Sequence, residues 1–104
     1  MRPKVFIAQA SRGLDFSSAD EYGEAVFLTD MEFRQEPTSA KFNNEAVQSI
    51  RRSMQDYIQG VDYLVTTGGA IPNVIMGHFM KKGEHNILKW NNRSMHYELY
   101  KVRV

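Results

Sequence analysis

A chain of 104 residues with 42% hydrophobic and 12% aromatic content has the length for one core and the composition of a folded domain, which excludes intrinsic disorder and a two-domain layout. It contains no cysteine, so a disulfide framework, a thiolate metal site and thiol redox chemistry are excluded, and its formal net charge of only +1 gives no overall basic signature. The apolar runs are too short for a signal-peptide core or a bilayer crossing, so a soluble, cytoplasmic protein is expected.

Val5 to Ala8 are consecutive apolar residues, the pattern of a strand buried on both faces, and Gln9, Ala10, Ser11, Arg12 and Gly13 end it. Ser18 and Glu21 have capping-box spacing and Gly23 stands at a C′ stop, which predicts one or two turns of helix. Ala25 to Leu28 make a second short strand, closed by Thr29 and Asp30. Gln35, Glu36, Pro37, Thr38 and Ser39 then read as a surface loop. Asn43 or Asn44 caps a helix carrying Val47, Ile50, Met54, Tyr57 and Ile58 at spacings of three and four, with Gly60 ending it. Arg51, Arg52, Gln55 and Asp56 fall on its wet side.

Tyr63, Leu64 and Val65 form a third strand, followed by Thr66, Thr67, Gly68 and Gly69 as a tight turn and by Pro72 in the first turn of a helix. Val74, Ile75, Met76, Phe79 and Met80 supply its buried stripe, Lys81 and Lys82 suit the negative end of its dipole, and Gly83 stops it. Ile87 to Trp90 are a fourth strand. Asn91, Asn92, Arg93 and Ser94 turn the chain, and Met95 to Val102 return in a hairpin. The alternation predicts a single α/β domain over residues 1–104: a small Rossmann-like, mostly parallel sheet flanked by helices, with right-handed crossovers, the first and third strands adjacent, and a C-terminal antiparallel hairpin. A ferredoxin-like or other α+β sheet is the rival.

In a parallel sheet the residues following the strands converge on one edge. That edge would carry Gln9, Ser11 and Arg12 after the first strand, Asp30 after the second, and Thr66, Thr67, Gly68 and Gly69 after the third. Threonine hydroxyls, glycines that admit a ligand to the backbone, a helix N-terminus and an arginine suit a phosphorylated or nucleotide-like anion, with Asp30 reaching a ribose hydroxyl. Non-catalytic binding is the expected role. Neither a Walker A loop nor a complete dinucleotide fingerprint is present, no cofactor is named by any motif, and no metal site is expected from His78, His85 and His96. Ser11, Ser17 and Ser18 lack a nucleophile elbow, so catalysis has no residue set behind it.

Residues 81–104 hold six bases (Lys81, Lys82, Lys89, Arg93, Lys101, Arg103) against two acids (Glu84, Glu98), a local excess of +4. With Trp90, Tyr97 and Tyr100 interleaved, the hairpin is a candidate interaction surface for a protein partner or a second copy of the chain, through Trp90, Arg93, Tyr97 and Tyr100. Single-stranded nucleic acid is a further alternative for the same residues.

Leu14 and Asp15, then Glu21, Tyr22, Gly23 and Glu24, then Val26, Phe27 and Leu28, with Asp62, Tyr63, Leu64 and Val65 later and Leu88, Lys89 and Trp90 near the end, form a combination that resembles small uncharacterised proteins carried by bacteriophages. The resemblance implies a short accessory protein that binds a host component or a small metabolite in a non-enzymatic role. It assigns no function to any single residue.

Overall fold

The apolar runs become the strands of one sheet: β1 (Lys4–Ile7), β2 (Glu24–Phe27), β3 (Tyr63–Val65), β4 (Glu84–Asn91) and β5 (His96–Arg103). The structure, a computed structural model, describes residues 2–9, 17–35, 40–66 and 69–104. The sheet order is β2-β1-β3-β4-β5, parallel at the first three contacts and antiparallel between β4 and β5. The α/β architecture, the mostly parallel sheet, the terminal hairpin and the adjacency of the first and third strands are as the alternation predicts, and the ferredoxin-like rival is excluded.

Strand alternation divides the core in two. On one face Phe6, Ala8, Leu28 and Leu64 pack under α1 (Ala40–Met54) and α2 (Ala70–His78), which contribute Ile50, Met54 and Met76. On the other, Val5, Ile7, Val65, Leu88 and Tyr97 pack against Ala19 of a 3₁₀ segment at Ser17–Glu21 and against Tyr22, which follows it. Both α-helices therefore lie on one side of the sheet. Ser49 and Ser53 donate to the Leu28 carbonyl at 2.9 and 3.3 Å, tying α1 to the chain leaving β2.

Several element boundaries differ from the sequence expectation, each for a tertiary reason. The helix α1 begins at Ala40, ahead of Asn43, whose side-chain amide ties the helix to the preceding segment: it accepts from Arg34 N and donates to Arg34 O, both at 2.8 Å. The same helix stops at Met54 rather than Gly60. The buried Asp62 carboxylate takes the Ile58 N–H at 2.7 Å and folds residues 58–62 into a turn with Gly60 at φ 79°. Tyr57 still packs on the core from that turn. The helix α2 ends at His78, not Gly83, tightening through Phe79 N to Met76 O at 3.1 Å and Met80 N to Gly77 O at 3.2 Å. Val74, expected on its buried stripe, is 70% exposed, whereas Pro72 and Met76 are buried. The loop expectation at Glu36, Pro37, Thr38 and Ser39 lies outside the described residues.

Candidate functional site

At the carboxyl ends of the parallel strands, the chain leaves β1 and β3 side by side, since Ile7 pairs with Val65 and Ala8 N reaches Val65 O at 3.3 Å. From β1 the chain continues to β2 on one side, while β3 leads to β4 on the other, so this is the point where the sheet order reverses. Gln9, only 8% exposed, lies there: its amide donates to Met31 O at 2.9 Å, and Thr29 Oγ1 accepts from Met31 N at 3.0 Å. Gly69 is the N-cap of α2, extended at φ −85° and ψ 123°, with no side-chain cap. A Cβ on Gly69 would stand 3.1 Å from Gln9 Oε1 and 3.2 Å from Pro72 Cδ. Glycine here lets the helix start close against Gln9.

Of the expected ligand residues, Thr66 and Asp30 are exposed after β3 and β2 and Gly69 is half-buried at the helix start. Ser11, Arg12, Thr67 and Gly68 lie outside the described residues. Gln9, which the sequence already places on this edge after β1, is a buried polar residue there. Its signal was present, a polar side chain directly after a fully apolar run, but the contact with Gly69 is a tertiary one.

The hairpin residues divide between the two faces of the sheet. Trp90 and Tyr97 face each other across the strands with ring centroids 5.1 Å apart, and Tyr97 is 9% exposed, packed edge-on to Tyr22. Tyr97 thus belongs to the core. Tyr100, opposite Ile87, is 46% exposed on the side of the α-helices, and Arg93 is exposed in the turn, its N–H held by Asn91 Oδ1 at 2.8 Å. Gly83 and Val104 exchange N–H···O bonds of 3.0 and 2.9 Å. This phase of the ladder leaves the N–H and C=O groups of Tyr97, Leu99, Lys101 and Arg103 on the outer edge.

At the opposite end of the sheet a cleft of about 1030 Å³ opens between the C-terminal ends of the two helices and the base of the hairpin. Arg51, Lys81, Lys82 and Arg103 line it, with Tyr57 and Phe79. Beneath it, His85 is fully buried; its Nε2 lies 2.6 Å from Lys81 O and its Nδ1 lies 2.6 Å from Tyr57 Oη. A carbonyl can only accept, so Nε2 carries the proton and, in the neutral ring, Nδ1 accepts from the Tyr57 hydroxyl. Burial, with the Asp62 carboxylate as a second cause, pushes the Tyr57 phenol from its ordinary 10.0 up to about 12. A raised phenol favours the folded state while it is neutral: that contribution is complete below about pH 10 and is lost as pH rises toward about 12. In an ultraviolet titration, Tyr57→Phe is expected to remove a late phenolate step, and coincident parent and variant curves at the alkaline end would contradict this assignment.

Among the described residues no group of three or more His, Asp or Glu side chains is placed to hold a metal ion, and no helix is long and apolar enough to cross a membrane. Compared with known proteins, the chain matches the family model described as phage Pam3 gp32-like protein over residues 3–104. No curated protein and no solved structure matches it.

Proposed function

The chain belongs to the phage Pam3 gp32-like protein family, and on that premise we propose that it is a small non-catalytic accessory protein that holds a phosphorylated or nucleotide-like ligand at the sheet edge where β1 and β3 end. The observation that carries the reading is Gly69: an uncapped helix start pressed against the buried Gln9 side chain at the point where the sheet order reverses. Gly69 offers no side-chain cap to the first N–H groups of α2, and a helix N-terminus favours negative charge.

Thermal melting in the presence of nucleoside and sugar phosphates tests it. A ligand at about 100 times its Kd adds about 2.7 kcal/mol to the stability of the native state, so the parent protein is expected to melt at higher temperature. Gly69→Asp is expected to fold, because aspartate is a favoured N-cap, the backbone there is extended and the nearest atom to its Cβ, 3.1 Å away, is the movable end of the Gln9 side chain; circular dichroism matching the parent checks this. The aspartate carboxylate would take the first N–H groups of α2 and repel an anion, so the shift should vanish. If no phosphate compound at about 1 mM moves the parent's melting temperature, the reading fails.

A further inference from the structure

Four cations meet at the cleft on the opposite edge, and they come from distant parts of the chain: Arg51 from the last turn of α1, Lys81 and Lys82 from the segment after α2, and Arg103 from the end of β5. Only one carboxylate, Glu84, lines the same cleft. Among the described residues none of the four makes an ion pair or a side-chain hydrogen bond, so Glu84 offsets the clustered charge only in part. Cations do answer helix C-termini, but each terminus carries only about half a negative charge. Two helix ends therefore account for about one of the four charges, and Glu84 for another.

The backbone that presents the lysines is held at every step. Lys81 O accepts from His85 Nε2 at 2.6 Å, Lys82 O accepts from Gln59 Nε2 at 2.8 Å, and Gly83 is doubly bonded to Val104, which fixes the end of β5 beside it. Gly83 adopts φ 126°, a conformation that keeps this turn tight. The backbone at Lys81 to Gly83 is thus fixed at the rim of a cleft of about 1030 Å³, and an arriving anion has to order only the cationic side chains.

We infer that this cleft is an anion site, separate from the Gly69 edge, for a chain of linked phosphates: several closely spaced negative charges are what a set of four cations over one carboxylate complements. The chemistry is common to a free polyphosphate and to the tail of a nucleoside triphosphate.

Titration calorimetry with sodium tripolyphosphate and with ATP tests the site on the full chain. Tripolyphosphate is expected to bind, with affinity falling as salt is raised. Arg51→Gln and Lys82→Gln, both at exposed positions, should each weaken it about tenfold and together about a hundredfold, while circular dichroism remains that of the parent. Gly69→Asp should leave the binding unchanged, which separates this site from the one proposed above. ATP at least tenfold tighter than tripolyphosphate would assign the source to a nucleotide, and equal or weaker ATP binding to a free phosphate chain. Absence of tripolyphosphate binding at millimolar concentration, or parent affinity in the double variant, overturns the inference.

Discussion

Gly23→Ala is expected to destabilise the protein by about 3 kcal/mol, at the upper end of overpacking effects, seen as a lower urea midpoint with an unchanged slope. The cause is steric and comes from the backbone. A Cβ on Gly23 would lie 2.2 Å from Pro3 O and 2.7 Å from Pro3 C, where Glu24 N donates to Pro3 O at 3.0 Å and β2 begins its pairing with β1. No rotamer relieves a contact between a Cβ and a backbone carbonyl, so β2 has to move or surrender that bond. Gly77→Ala is the control. Nothing lies within 4 Å of a Cβ at that position in α2, and an alanine in a helix interior should add about 0.5–1 kcal/mol. A Gly23→Ala midpoint equal to the parent's would show that the strand pairing tolerates the displacement.

Asp62→Ala is expected to cost about the same, about 3 kcal/mol, because it orphans two backbone donors at once. The carboxylate is 3% exposed; Oδ1 accepts from Lys4 N at 2.9 Å and Oδ2 from Ile58 N at 2.7 Å. One side chain thereby joins the start of β1 to the turn that follows α1. Asparagine keeps one acceptor but sets its amide group against the other N–H, so Asp62→Asn should fall between alanine and the parent in chemical denaturation. A loss below about 1 kcal/mol for the alanine variant would mean that water replaces the carboxylate at both donors.

These two positions show where sequence reading stops. Gly23 reads locally as a helix stop, yet it is not among the glycines with positive φ; it is a glycine because the Pro3 carbonyl passes over it, some twenty residues away in the chain. Asp62 reads as a polar residue before a strand, and its role depends on Lys4 arriving beside it. The ends of α1 and α2 were misplaced for the same kind of reason. Apolar spacing continued through Tyr57 and Phe79, and both do reach the core, but Asp62 and the tightened last turns had already ended the helices.

The candidate sites divide in the same way. The strand ending at Val65 and the helix holding Pro72 were legible because their signals, an apolar run and an early proline, are local; their value for binding waited on whether β1 lies next to β3. The basic cleft was not legible as a site. Arg51 read as a solvated helix face and Lys81 and Lys82 as partners for a helix dipole, each a sufficient local account, and only folding brings them to Arg103.

What the sequence by itself determined is the order and kind of the elements, their apolar faces and the absence of cysteine chemistry, because hydrophobic periodicity and turn residues act over a few positions. Family membership was foreshadowed by the residue pattern running from Leu14 to Trp90. Only the tertiary structure decided the sheet order, the steric need for Gly23, the two hydrogen bonds accepted by Asp62 and the gathering of four cations at one edge. Each of these depends on backbone or charge from a distant segment, and no local window of residues contains both partners.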